Sequence, residues 1–314
     1  VTDHIKIIKP GVLSTLQDGG RSGFRSIGIG PGGVMDQYAF HVANRLLGND
    51  PATTVIEMHF PAPVIEFNTS ASCCLSGADF QAKLNDELLK TWSTFIVKPG
   101  DILQFEKIQK GFRCYLAIQG GFTGEEWLGS RSTNLNLRMG GYKGRALQKG
   151  DCILIGNFNF EKAISLKNVN MPAELEKIYD EANVINCLPG PEWNLLNTEA
   201  QQRLLSSNFS ITVNSNRMAC LLEGENFKIT FPQVELLSSA VLAGTVQFLP
   251  NGSLAVLMTD HQTTGGFPRI LQVLQSQLPK LAQTRPGSDI QFRMTDIITA
   301  EADFQSFMKK CLYE

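Results

Sequence analysis

KPGDILQF (98–105) and its echo QKGDCILI (148–155) each set a Gly-Asp pair in a turn and follow it with a short apolar run. Glycine takes the turn's unusual backbone angles and aspartate hydrogen-bonds its own backbone, while the run that follows has the length of a buried strand. The same habit extends in both directions. Ile5–Ile8, Val64–Phe67, Ile102–Phe105, Cys114–Ile118 and Ile153–Ile155 are β-branched or apolar and are separated by Gly, Pro, Asp or Asn. Such punctuation predicts strands of a barrel or sandwich. From about Asn157 to Asn183 the pattern gives way to polar sequence with Pro172 and a short helical stretch, Ala173–Ala182, which reads as a connection between domains. Strands resume at Val184–Cys187, Phe209–Val213, Phe227–Phe231, Val241–Leu249, Ser253–Thr259 and Asp289–Arg293. A chain of 314 residues fits two cores of ordinary size. The expected division is an N-terminal domain over 1–165 and a C-terminal one over 183–314, both mainly β.

Three stretches carry helical spacing. Val34–Leu47 places Val34, Met35, Tyr38, Val42, Leu46 and Leu47 on one face and Gln37, His41 and Asn44 on the other, with Gly48 positioned as a left-handed cap. Thr198–Leu205 starts near a good capping residue. Pro268–Leu281 starts with proline at the favoured first position and spaces Ile270, Leu271, Leu274, Leu278 and Leu281 as a buried face, with Pro279 expected to end or kink it.

Composition narrows the function. With 28 basic against 30 acidic residues the net charge is -2, so nothing draws the chain to nucleic acid or an anionic membrane. No apolar run approaches the length of a membrane span and the N-terminal residues lack a signal peptide's apolar core, so the expected location is the cytoplasm. Seven scattered cysteines without a C-x-x-C pair read as reduced thiols, Cys114 and Cys152 as small buried hydrophobes. Four histidines, none at zinc-ligand spacing, argue against a metal site.

Gly28-Ile29-Gly30-Pro31-Gly32-Gly33 spells G-x-G-x-x-G ahead of a helix, but the residues before it are polar and turn-like where a dinucleotide-binding fold needs a buried strand. Pro31 also removes a backbone N–H that a phosphate would use. The phosphate-loop spelling and the G-x-S-x-G nucleophile elbow are both missing. The densest polar stretch is Thr259-Asp260-His261-Gln262-Thr263-Thr264-Gly265-Gly266, between the apolar run Leu254–Met258 and the predicted third helix. A strand end, a glycine pair and a helix N-terminus would expose unpaired N–H groups suited to a carboxylate or phosphate. Asp260 and His261 add an acid/base pair and Gln262 a hydrogen-bonder. The competing account is that Asp260 and the threonines cap the helix and satisfy a turn. Gln247, a polar residue inside the apolar strand around Val246, faces either a pocket or solvent. Gln17–Arg21 and Gly33–Asp36 form further polar turns, in which Arg21 is placed to pair with a carboxylate. Gly129–Thr133 and Met139–Arg145 are another loop pair.

The ordered motifs PGVLSTLQDGGRSGF (10–24), GGVMDQYAFHVANRLLGN (32–49), YLAIQGGF (115–122), LGSRST (128–133), GGYKGRALQKGD (140–151), LPGPEW (188–193), GTVQFLPNGS (244–253), LMTDHQTTGGFP (257–268) and LAQTRPGS (281–288) cover nearly the whole chain. In them the chain resembles the C subunit of the bacterial ATP-dependent 5-oxoprolinases, a family also called KipA-like, allophanate hydrolase subunit 2 or biotin-dependent carboxyltransferase-like. The resemblance implies two tandem cyclophilin-like β-barrel domains. It also implies two partner proteins, one KipI-like and one LamB/YcsF-like, with ATP used by the complex and neither metal nor biotin held by this chain. Asp260, His261 and Gln262 would then be catalytic. Thr263, Thr264, Gly265, Gly266, Gln247, Arg217, Arg21 and Asp36 would bind a small amide-bearing acid. Two alternatives follow from the same resemblance: carboxyl transfer from carboxybiotin to urea or a related amide, and a non-catalytic role in which the chain binds KipI and so regulates a sensor kinase. Ala219-Cys220-Leu221 and Gly30-Pro31-Gly32 depart from the family's usual sequence beside the expected site.

Overall fold

The computed structural model describes residues 3–157, 170–171, 177–179, 183–224, 227, 229, 231 and 235–312. Of the predicted helical stretch Ala173–Ala182 only Lys177–Tyr179 is described, as a single 3-10 turn, and the rest lies outside the described residues, as do residues 228 and 230 of the predicted strand Phe227–Phe231. The chain divides into two compact units, one of residues 1–22 and 32–177, the other of residues 23–31 and 178–313. The segment Gly23–Pro31, which the sequence assigns to the first domain, therefore belongs to the second unit.

The first unit is built from β1 (His4–Lys9), β2 (Ser14–Gln17), β3 (Val55–His59), β4 (Val64–Phe67), β5 (Ala71–Asp79), β6 (Ala82–Leu84), β7 (Glu87–Leu88), β8 (Ser93–Val97), β9 (Ile102–Phe105), β10 (Lys110–Ile118) and β11 (Cys152–Leu154). They form two sheets, in the orders β11-β1-β4-β9-β6-β7 and β2-β3-β10-β5-β8. One core joins the sheets: Ile5, Ile7, Ile65, Phe67 and Leu103 from the first meet Leu16, Ile56, Met58, Leu75, Leu116 and Ile118 from the second. Each fully buried side chain of this size contributes about 1.5–3 kcal/mol. The two Gly-Asp turns lead into β9 and β11, as their sequence predicts. On the edge strand β11 only Ile153 faces inward, so Cys152 is exposed and not a buried hydrophobe as expected.

The helix α1 (Gln37–Leu46) starts three residues later than its apolar spacing suggests, because Asp36 caps it, its Oδ1 accepting from Ala39 N at 2.9 Å. It packs against β5 and β10. Asn44, expected on the polar face, is fully buried: its Nδ2 donates to the Thr53 carbonyl and its Oδ1 accepts from Asn49.

The second unit holds β12 (Val184–Pro189), α2 (Thr198–Ser206), β13 (Phe209–Ile211), β14 (Ala219–Glu223), β15 (Ser239–Ala240), β16 (Thr245–Phe248), β17 (Leu254–Leu257), β18 (Thr264–Gly265), β19 (Arg269–Val273), α3 (Leu278–Gln283), β20 (Asp289–Met294) and α4 (Ile297–Leu312). Seven of these strands close a barrel in the order β12-β19-β16-β17-β14-β13-β20, and β15 pairs with β18 outside it. Phe209 sits in the core between Phe227 and Phe292, at ring-centre distances of 4.8 and 5.7 Å. The chain is thus mainly β with few helices, closed as a barrel in the second unit and layered as two sheets in the first.

One predicted helix fails. Pro268–Leu281 is not helical at its start: Arg269–Val273 is strand β19, paired with β12 on one side and β16 on the other. A strand inserted between two neighbours satisfies its N–H and C=O groups through both ladders, and this tertiary pairing overrides a local pattern that fits helix and strand alike. Pro279 lies in the first turn of α3 and ends nothing. Conversely, α4 at the C-terminal end of the unit was not foreseen. Its buried Ala300, Phe307 and Cys311 are spaced seven and four residues apart, a helical period the sequence does contain.

Candidate functional site

Strand β17 is buried at every position, and beyond it Met258 N still donates to the Met218 carbonyl and Asp260 N to the Arg217 carbonyl, extending the ladder alongside the approach to β14. Across that extension Arg217 grips Asp260, Nε to Oδ2 at 2.8 Å and Nη2 to Oδ1 at 3.2 Å, both side chains being less than a tenth exposed. Asp260 is thus a structural anion that fixes the start of the loop.

His261, only 2% exposed, bonds through Nδ1 to the carbonyl of Gln262. Burial is the largest influence on its imidazole and lowers its pKa; Arg25 acts in the same direction, against the Gln262 carbonyl and Asp260. The segment Gly23–Pro31 reaches this loop within the unit. Arg25 donates to the Val241 carbonyl, and a side chain at Gly30 would come within 2.7 Å of the His261 carbonyl oxygen.

Gln247 lies on β16, a strand buried along its whole length, and is 2% exposed. The sequence left it facing pocket or solvent; it faces the loop. Its Oε1 accepts from Gln262 Nε2 at 3.3 Å, and its Nε2 stands where a Cβ on Gly265 would collide with it. The loop then runs outward. The Thr263 carbonyl accepts from Val241 N, Thr264 and Gly265 pair with Ala240 and Ser239, and Thr264 and Gly266 are exposed. The chain returns at Arg269, whose guanidinium binds Glu192 at 2.7 and 2.9 Å. That hydrogen bonding holds the Glu192 carboxyl below its ordinary pKa. Because β19 is a strand, the helix N-terminus and dipole anticipated after this loop do not exist, and the anion-binding argument built on them falls. What the loop offers instead is neutral: an amide and an imidazole.

Within this unit, then, lie Arg217, Gln247 and the run Asp260 to Gly266. Arg21 and Asp36 belong to the first unit and have work there. Arg21 donates to the Ser132 carbonyl at 2.8 Å and stacks over Trp127 at 4.7 Å. Besides capping α1, Asp36 donates its N–H to the Tyr115 hydroxyl, which itself donates to Glu57 at 2.9 Å. Burial, with Glu57 and Asp36 adding to it, raises the Tyr115 pKa well above its ordinary value. In the neighbouring turn the Asp18 carboxylate accepts from Gly20 N, Arg131 N and the hydroxyls of Ser130 and Ser132. Sequence reasoning missed Glu192, Glu57 and Tyr115; Glu192 stands in LPGPEW, but nothing in that motif names Arg269 as its partner.

Among the described residues no group of three or more His, Cys, Asp or Glu side chains is placed to hold a metal, and no helix is long and apolar enough to cross a membrane. None of the seven cysteines forms a disulfide among the described residues, and burial pushes the Cys187 thiol up to about 12.

Residues 27–294 match the family described as carboxyltransferase domain, subdomain A and B. The chain is 36% identical to the 5-oxoprolinase C subunit of Escherichia coli over 98% of its own length and 97% of that protein's, and 33% identical to that of Haemophilus influenzae over 90% and 89%. In structure it resembles the urea amidolyase of Kluyveromyces lactis, with a TM-score of 0.85 and 26% identity over 100% of this chain and 20% of that one. It spans about half, 56%, of another solved chain that it matches at a TM-score of 0.82 and 28% identity.

Proposed function

The chain belongs to the carboxyltransferase-domain family of subdomains A and B, and we propose that it is the C subunit of a cytoplasmic, ATP-dependent 5-oxoprolinase. It acts with a KipI-like partner and a LamB/YcsF-like partner to open 5-oxoproline to glutamate, and is inactive alone. The observation that carries the reading at the level of the site is the buried amide nitrogen of Gln247, unpartnered among the described residues and set against Gly265, on a side chain that Gln262 links to the loop of His261. Buried donors are nearly always paired, and one that is not is suited to a ligand oxygen.

A lactam carbonyl resists attack because its nitrogen shares charge with its oxygen. A fixed N–H donor beside that oxygen stabilises the negative charge that develops there as the ring opens, in a site that excludes water. Gln247 fills that role. His261, whose pKa burial lowers, offers Nε2 as a hydrogen-bond acceptor to the lactam N–H, and Gln262 orders both neighbours. Asp260 and Arg217 neutralise each other and hold the loop in place.

The nucleotide this reaction implies would serve to activate the amide oxygen, but the described residues of this loop do not fit a triphosphate. Arg217 and Arg269 are each clamped by a carboxylate, and Arg25, held to the Val241 carbonyl, is a single positive charge against the several negative ones of a triphosphate. We therefore assign the nucleotide to one of the partner proteins of the complex.

The likeness to urea amidolyase favours a second reading, carboxyl transfer to urea, since urea presents the same neutral donor and acceptor groups as a lactam. Reconstitution separates the two. The purified chain alone is expected to hydrolyse no ATP, whereas addition of the KipI-like and LamB/YcsF-like partners restores 5-oxoproline-dependent hydrolysis. Full turnover without the partners, or carboxylation of urea by carboxybiotin in their place, contradicts the proposal.

A further inference from the structure

Two buried side-chain nitrogens of the second unit have no hydrogen-bond partner among the described residues, Nε2 of Gln247 and Nε2 of His261. In each case a neighbouring bond decides what the free atom is. Gln262 donates its Nε2 to the oxygen of Gln247, which commits that oxygen and leaves the amide nitrogen as a donor. The Gln262 carbonyl can only accept, so Nδ1 of His261 carries the ring proton and Nε2 is left as an acceptor. One residue thus sets the polarity of both, with its side chain toward Gln247 and its main chain toward His261. Gly265 completes the arrangement. Its φ is not in the left-handed region, yet any Cβ there would collide with Nε2 of Gln247, so a side chain would push the donor out of place.

We propose that Gln262 and Gly265 are positioning residues that present one donor, Gln247 Nε2, and one acceptor, His261 Nε2, to an amide whose C=O and N–H lie on the same edge, and so select cis amides over trans ones. The inference rests on the amide-binding reading of this loop. A lactam ring holds its amide cis, so oxygen and N–H project side by side, and urea has such an edge by symmetry. One edge-on contact satisfies both nitrogens. A trans secondary amide points its C=O and N–H in opposite directions and satisfies one at most.

The test is calorimetric titration of the full chain with 5-oxoproline, N-methyl-5-oxoproline, urea and the trans amide N-acetylglycine, with the histidine ring nitrogens observed by 15N resonance. His261 is expected in the Nδ1–H form, with its Nε2 resonance moving on ligand binding. N-methylation is expected to weaken 5-oxoproline binding about tenfold or more, and N-acetylglycine to bind at least as poorly. Gln262→Glu, which makes the partner an acceptor and turns the Gln247 amide round, and Gly265→Ala should each weaken 5-oxoproline by a similar factor. Gly19→Ala in the first unit, whose Cβ meets nothing within 4 Å, should leave binding within about twofold.

Equal binding of 5-oxoproline and its N-methyl derivative, or an Nε2–H tautomer at His261, overturns the inference while leaving the 5-oxoprolinase reading intact. Binding of urea with exclusion of 5-oxoproline overturns that reading and supports the edge recognition. Failure of every probe to bind overturns the inference.

Discussion

The turn at Gln17–Arg21 in the first unit and the loop at Thr259–Gly266 in the second use the same kinds of residue: an aspartate, a glycine pair, hydroxyls or amides, and an arginine partner. They differ in how their hydrogen bonds close. Around Asp18 four donors converge on one carboxylate, so the aspartate is saturated by its own fold. In the second loop the charged pair, Arg217 with Asp260, is likewise closed, but the neutral pair, Gln247 with His261, is left one bond short at each end. A saturated polar cluster stabilises a fold, whereas one left open costs stability and is retained where a ligand completes it. Gln17 Oε1 in the first turn is also buried without a partner, so the contrast lies in the second loop's combination of one open donor and one open acceptor, both tied to Gln262.

Substitutions sharpen the contrast. The largest effect is expected for Asp18→Ala, which strands several buried donors at once and should lower stability by about 3–5 kcal/mol in urea unfolding. Arg217→Ala follows at about 3 kcal/mol, because it leaves Asp260 buried without its counter-charge, and replacing both partners by apolar residues should recover most of that loss. Gln247→Leu removes a buried donor that has no partner, together with the long 3.3 Å bond from Gln262, whose half-buried amide can turn to solvent; it should change stability by about 1 kcal/mol or less while abolishing ligand binding. The smallest effect concerns pH. His41 and His261 have pKa values below the ordinary 6.5, in both cases chiefly through burial. Their unfolded forms take up protons first on acidification, so stability is full above about pH 6.5 and declines as pH falls below it. Replacing both by glutamine should flatten that decline in a series of thermal melts. A loss of stability from Gln247→Leu as large as that from Asp18→Ala would break the comparison.

Much of the fold was legible in the sequence because its punctuation is local. The Gly-Asp turns before β9 and β11, the apolar runs of β1, β4, β10, β12 and β20, and the spacing of α1 and α2 are each decided within a few residues. Where several distant segments decide, the sequence misled. Residues 268–281 have apolar spacing compatible with a helix, and only pairing with both β12 and β16 makes Arg269–Val273 a strand. The same applies to the site. The run Asp260 to Gly266 stood out by composition, and Gln247 by its polarity within an apolar strand. That Asp260 is neutralised by Arg217, that Glu192 holds Arg269, and that Gln262 hydrogen-bonds Gln247 are facts of side chains 43, 77 and 15 residues apart in sequence.

The central claim is that the open hydrogen bonds of the Gln247–His261 loop are where the amide is held. It is tested most directly by rates of 5-oxoproline-dependent ATP hydrolysis in the complex reconstituted with the KipI-like and LamB/YcsF-like partners, comparing the unaltered chain with Gln247→Leu at matched folded fraction. The account predicts that Gln247→Leu folds normally, assembles with its partners and loses turnover by a factor of about a hundred or more. Turnover within a few fold of the unaltered chain would contradict it.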